Sequence, residues 1–125
     1  MSVTYTKINP REILKRKLLE SRRVVGLDGK VHMCEGQAFR EHTCKGGLHM
    51  NEVFITRKKV QGVKPASARM HIITDERNCA IVCQAFHWDL GHSTAFRLWF
   101  KGIQEDRYSS SSIDEYLSGA WSKLE

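Results

Sequence analysis

Apolar residues in this chain fall into short groups whose spacing changes from one segment to the next. Ile13, Leu14 and Leu18 recur at helical intervals behind Asn9-Pro10. Asn as an N-cap followed by proline at the first helical position predicts a helix over 10–23, with cationic side chains on its other faces. The turn Gly26-Leu27-Asp28-Gly29 leads to Val31-His32-Met33-Cys34, a short predicted strand. After the turn Cys44-Lys45-Gly46-Gly47 comes the clearest strand, Leu48 to Ile55. Alternation there sends His49 and Asn51 to one face and Met50 and Glu52 to the other.

Lys58 to Ser67, broken by Gly62 and Pro65, reads as a loop, and Arg69 to Ile73 as a strand-like segment. Thr74 to Asn78 is a polar loop before the apolar run Cys79 to Cys83. Gln84 to Phe100 predicts helix interrupted near Gly91. Ser112-Ile113-Asp114-Glu115 has the form of a capping box and starts a last helix through Tyr116, Leu117 and Trp121. Phe86, Trp88, Phe96, Trp99 and Phe100 offer rings that could stack on bases, but their helix-like spacing favours core packing. The order of elements predicts an α+β fold with a small antiparallel element at its centre. At 125 residues the chain suits one domain with a modest core.

An apolar fraction of 41% and a charged fraction of 27% argue against a disordered or membrane-embedded chain. No stretch reaches the roughly 18 apolar residues of a membrane span, and Met1 to Pro10 lacks the apolar core of a signal peptide. A soluble intracellular protein with no membrane partner is expected. In that setting Cys34, Cys44, Cys79 and Cys83 should be free thiols or metal ligands rather than disulfides. No Cys-x-x-Cys pair is present, which excludes a complete four-cysteine zinc knuckle.

The net charge of +6 is concentrated. Residues 1–23 hold seven Lys/Arg (Lys7, Arg11, Lys15, Arg16, Lys17, Arg22, Arg23) against two Glu, and 57–69 hold five against none. Residues 101–125 hold three against five Asp/Glu, so the basic blocks lie in the first two thirds. Such blocks can neutralise phosphates, with Arg16, Arg22, Arg57, Lys58 and Lys59 as candidate nucleic-acid contacts, or can simply solvate helix and loop faces. Around the second block runs a polar series in apolar surroundings: His49, Asn51 and Glu52 before it, Asn78, His87 and His92 after it. Hydrolysis of a phosphodiester needs a cation for the charge developing on the phosphoryl group and a base for the attacking water. Imidazoles with a carboxylate or amide can supply both. His92 lies five residues beyond His87, so a continuous helix would turn it away, and convergence requires a break at Gly91.

The sequence Leu48-His49-Met50-Asn51-Glu52-Val53-Phe54, followed by Asn78, then Cys83 with His87 and His92, resembles the HNH endonucleases, particularly the short stand-alone versions of bacteriophages. The resemblance covers roughly 34–108. It implies a ββα-metal finger as the core, within 31–108, flanked by a basic helical arm at 1–23 and a C-terminal helix at 111–123. It further implies a metal-dependent DNA endonuclease or nickase, acting in the cytoplasm of a bacterial host with Mg2+, Mn2+, Zn2+ or Ni2+. Proteins of the phage DNA-packaging motor, such as a terminase, are partners that the resemblance suggests.

Carried over by residue, the strand position Asn51-Glu52 would supply a metal ligand and the base, Asn78 would orient that strand, and His87 and His92 would bind the cation. Relatives commonly have His where Asn51 stands, and Asn is neither a base nor a strong ligand for a transition metal. Glu52 or His49 is therefore the expected base. If neither serves, the chain is a catalytically degenerate nucleic-acid-binding or regulatory protein. Many relatives also hold a structural zinc between two Cys-x-x-Cys pairs. The corresponding places here read Cys34-Glu35-Gly36-Gln37 and Cys83-Gln84-Ala85-Phe86. Cys34 and Cys83 with His32 or His42 could still hold zinc, but burial of small apolar thiols is the simpler expectation.

Overall fold

The computed structural model describes residues 9–124. Lys7 and, apart from Asn9 and Pro10, the segment read for a signal peptide lie outside them. Along the chain run α1 (Pro10–Ser21), β1 (Val24–Val25), β2 (Val31–His32), a 3-10 turn at Glu35–Ala38, β3 (Leu48–Glu52), α2 (Ala66–Ile73), a second 3-10 turn at Glu76–Asn78, β4 (Cys79–Cys83), α3 (Gln84–Asp89), α4 (Thr94–Tyr108) and α5 (Ser110–Leu124). The mixture of helices with two small antiparallel sheets agrees with α+β. No helix among the described residues is long and apolar enough to cross a membrane.

The hairpin β3–β4 organises the molecule, with Leu48 opposite Cys83, Asn51 opposite Ala80 and Glu52 opposite Cys79. Directly opposed residues share a face, so each side of this ribbon has its own partners. Ala80 and Val82 join Phe86, Phe96, Phe100, Ile72, Ile73 and Tyr116 in the larger apolar cluster. Met50, Cys79 and Ile81 form a second cluster with Leu18 of α1. Leu18 is 1% exposed, and burying such a side chain is worth about 1.5–3 kcal/mol. A ribbon covered on both sides can be apolar throughout, and every residue of β4 is buried.

Helix α1 begins as expected, with the Asn9 side chain accepting from the Arg11 N–H at 2.9 Å. It ends at Ser21, and Arg22 turns inward. The Arg22 guanidinium donates to Glu35 Oε2 (3.1 Å), Cys79 O (2.8 Å), Glu76 O (2.8 Å) and Tyr108 Oη (2.9 Å). Glu35 is fully buried and also pairs with Arg107 while accepting from the Ile81 N–H. Two guanidiniums and an N–H compensate the desolvation of this carboxylate. Arg22 is thus a strut of the interior, which removes it from the expected nucleic-acid contacts.

Other elements depart from expectation for local reasons. Arg69 to Ile73 is helical rather than strand-like, because the helix starts two residues past Lys64 at Ala66 and runs through good helix formers to place Ile72 and Ile73 in the core. The loop read over Lys58 to Ser67 is shortened accordingly. β3 stops at Glu52 because Asn78 takes the next N–H groups, that of Val53 on its carbonyl (2.8 Å) and those of Phe54 (3.0 Å) and Ile55 (2.8 Å) on its side chain. β2 stops at His32, where its short partner β1 ends. The last helix starts at Ser110 rather than at Ser112, with Ser109 at φ 88° and its Oγ accepting from the Ser112 N–H. Trp88 is 74% exposed, against the expectation of core, because the single short turn of α3 buries Phe86 and leaves the opposite side to solvent.

Candidate functional site

The hairpin and the helix after it bring three histidines into a row. His49 Nδ1 lies 3.1 Å from His87 Nδ1, and His87 Nε2 lies 3.3 Å from His92 Nε2. His49 is carried by β3, His87 by α3, and His92 by the turn between α3 and α4. The break at Gly91 that convergence requires is present, and its geometry explains the glycine. A Cβ at Gly91 would sit 2.6 Å from the His87 carbonyl oxygen and 2.9 Å from Asn51 Nδ2. The Asn51 amide donates to the Gly91 carbonyl at 2.8 Å, tying the turn that holds His92 to the strand that holds His49.

Two imidazoles bound to one ion at about 2.0–2.1 Å stand roughly 3.3 Å apart in tetrahedral geometry, which is the His87–His92 spacing. His87 cannot turn both ring nitrogens to one ion. His49, on the Nδ1 side of His87, therefore suits an orienting contact better than a third ligand position. The His87 pKa is lowered by burial first and by the neighbouring His92 and His49 next, which favours the neutral imidazole that a metal needs.

Asn51, expected as ligand and catalytic residue, is fully buried and spends its amide on Gly91; its Oδ1 accepts no hydrogen bond among the described residues. Asn78 is also fully buried. Its Oδ1 accepts from Phe54 and Ile55, while its amide donates to Ile55 O (2.9 Å) and Ile73 O (3.0 Å). Asn78 thereby pins the long connection to the hairpin and touches no histidine of the row.

Glu52 lies in a cleft of about 430 Å³ lined by Arg11, Glu12, Lys15, His49, Met50, Glu52, Arg57 and His87. Arg11 donates to Glu52 Oε1 through Nε (3.0 Å) and Nη2 (2.7 Å) and to Met50 O (3.2 Å); Arg57 Nε stands 3.9 Å away from the same carboxylate. A carboxylate held by a guanidinium in this way is an anchor for cations rather than a free base. The sequence had marked Arg57 but not Arg11 or Lys15. Arg16 and Lys58 are exposed, as a contact surface requires. Lys59 is committed elsewhere, donating to Phe54 O (3.0 Å) with its ammonium 5.2 Å from the centre of the Trp121 ring.

A second constellation lies at the Leu48–Cys83 end of the hairpin, one pair along from His49. Cys34, Cys44 and Cys83 place their sulfurs 3.6, 3.7 and 3.6 Å from His42 Nε2. All four donor atoms lie within 4.8 Å of one another. Tetrahedral zinc with sulfur at about 2.3 Å and nitrogen at about 2.0–2.1 Å sets the S···N spacing at roughly 3.6 Å. His42 Nδ1 faces Arg40 O at 2.6 Å, and since a carbonyl only accepts, Nδ1 carries the proton and Nε2 presents its lone pair to the sulfurs. N–H groups of Cys83 and Phe86 point at Cys34 Sγ (3.2 Å) and Cys83 Sγ (3.4 Å), and the Gln37 amide at Cys44 Sγ (3.2 Å).

At Cys83 burial acts to raise the thiol pKa, but N–H bonds from Phe86 and Lys45 and contacts with His42 and Cys44 outweigh it and bring the value down to about 7. Burial holds Cys34 up at about 12. These four residues could hold a metal ion, and none of the four cysteines is in a disulfide. Burial as small apolar thiols describes Cys79 alone, whereas Cys34 and Cys83 belong to the cluster. His42 is the histidine that joins them, while His32 is engaged by Asp28 at 3.0 Å. Cys44 was missed as a ligand. Its signal was the spacing His42-x-Cys44 ahead of two glycines.

The chain matches no protein-family model, no curated protein and no solved structure.

Proposed function

We propose that the protein is a metal-dependent nuclease of HNH type, in which β3, β4 and α3 form the ββα-metal finger. The observation that carries this reading is the meeting of His49 from the strand with His87 and His92 from the helix and its following turn, beside a cleft rimmed by Arg11, Lys15 and Arg57. A bound divalent ion would supply charge for the developing phosphorane and for the leaving oxygen. His87 and His92 would hold it. A His87 that held the ion through Nε2 would carry its proton on Nδ1 and donate it to His49 Nδ1, so His49 orients His87 with its own proton on Nε2, and the ion would supply the lowered pKa of the attacking water. Asn51 ties β3 to the Gly91 turn, Asn78 holds the chain just past β3, and neither takes part in proton transfer. In the cysteine cluster zinc is the ion that suits three sulfurs and an imidazole, and a closed set of four donors gives it a structural task.

Nicking of supercoiled plasmid at low salt, with Mg2+, Mn2+, Zn2+ or Ni2+ added in turn, tests the reading. Wild-type protein nicks with at least one ion and His87→Ala does not; absence of nicking with every ion ends it. The burial of Asn51 favours one alternative, a DNA-binding module without cleavage, since the position where relatives commonly carry His is closed to solvent. That alternative predicts salt-sensitive DNA binding in the same assay mixtures with the plasmid intact.

A further inference from the structure

Helix α1 presents one stripe to the rest of the molecule: Arg11, Lys15, Leu18 and Arg22, spaced i, i+4, i+7 and i+11. Leu18 and Arg22 are buried and fix how the helix lies. Their placement commits the two earlier members to the cleft that also contains His49 and His87. The Arg11 guanidinium uses Nε and Nη2 on Glu52 and Met50, and among the described residues its Nη1 has no partner. Lys15 is half-buried in the cleft wall and has no acidic partner among the described residues, whereas Lys17, on another side of the helix, is paired with Glu76 at 2.6 Å. Arg57 reaches in from the opposite side, 64% exposed. Three cations thus face a cleft whose carboxylates are Glu52, already held by Arg11, and Glu12. A half-buried lysine with no acidic partner among the described residues, beside a guanidinium with an unused donor edge, marks a place for an anion with several acceptor oxygens.

We infer that Arg11 and Lys15 of α1, with Arg57 opposite, form a phosphate cradle for a nucleic-acid backbone lying across the histidine row. The inference rests on the nuclease reading for the identity of the anion, but it concerns binding and is tested without cleavage. Glu52 is the positioning residue of the cradle: it holds Nε and Nη2 of Arg11 so that Nη1 points away from the protein's own acceptors. The helix is then part of the substrate site rather than an outlying basic arm.

The test is fluorescence anisotropy of a labelled DNA duplex in EDTA over a series of salt concentrations. Lys15→Gln is the decisive variant, because Lys15 carries no structural bond that its loss would break. Each phosphate contact removed flattens the plot of log affinity against log salt by about 0.9 for duplex DNA. Lys15→Gln and Arg11→Gln should each show that flattening, and the exposed Lys30→Gln, far along the chain at the β1–β2 turn, should not. Slopes for the Lys15 and Arg11 variants equal to wild type, or changed no more than that of Lys30→Gln, overturn the cradle. If the slope changes appear while wild-type protein nicks DNA with no ion, the cradle stands and the nuclease reading falls. If wild type nicks DNA and the slopes are unchanged, the nuclease reading stands and the cradle falls.

Discussion

Neighbouring positions of the β3–β4 hairpin carry two donor sets of opposite character. At the Leu48–Cys83 end, Cys34, His42, Cys44 and Cys83 close on one point, all within 4.8 Å, with N–H groups aimed at the sulfurs. Toward the middle of β3, His49, His87 and His92 stand in a row that opens on a cationic cleft. Four converging donors leave an ion no free position and turn its binding energy into folding energy; two imidazoles leave positions for water and phosphate. One short ribbon therefore holds a closed donor set and an open one side by side. The two sets are joined by α3, which is capped by Cys83 and carries His87.

That division can be broken most forcefully at the cysteines. Cys34→Ser or Cys83→Ser should remove the bound ion, read by elemental analysis, and lower unfolding stability by on the order of 5 kcal/mol, less than the ~10 kcal/mol zinc supplies to peptides without a core of their own. Equal stability with and without the ion would show that the cluster is not a fastening. His87→Ala should do the reverse. Its nicking rate should fall more than ~100-fold, since even partners one step removed from a metal cost 10–100-fold, while cluster metal content and thermal midpoint stay close to wild type.

Asn51→Ala sits between these extremes. The Gly91 carbonyl would lose its donor, a cost of roughly 1–3 kcal/mol, and ion affinity at the histidine row should weaken about tenfold with the cysteine site unaffected. Isothermal titration of Mn2+ or Ni2+ into the variant reads this directly, and unchanged affinity would detach Asn51 from His92. The smallest effect is on pH dependence. His87 titrates below its ordinary value of 6.5 in the folded protein, so between the two values the unfolded chain binds a proton that the folded chain refuses. Its contribution to stability is present above pH 6.5 and is lost as pH falls through the lower folded value. Urea titrations of metal-free protein from pH 8 to pH 5 should show that decline, and His87→Gln should flatten it.

What the sequence disclosed follows the range of the interactions involved. Asn9-Pro10 is a local signal, and the start of α1 was legible from it. The order of His49, Asn78, His87 and His92 disclosed which segments must meet, because a hairpin followed by a helix leaves few other arrangements. Helix α2 was not legible: Ile72-Ile73 looks like strand until the core claims both side chains. Arg11 and Lys15 were hidden among cations on every face of α1, and only the burial of Leu18 selects which of them turns inward. Cys44 was hidden by the absence of a Cys-x-x-Cys pair, since beyond its neighbour His42 its partners, Cys34 and Cys83, come from two other segments of chain.

The inward stripe of α1 sets a limit on how the protein can be shortened. A chain begun after Arg23 would bare Met50, Cys79 and Ile81 along one side of the ribbon and leave Glu35 with Arg107 as its remaining counter-charge. Such a fragment would gather into aggregates through that sticky flank rather than persist as a trimmed, folded protein.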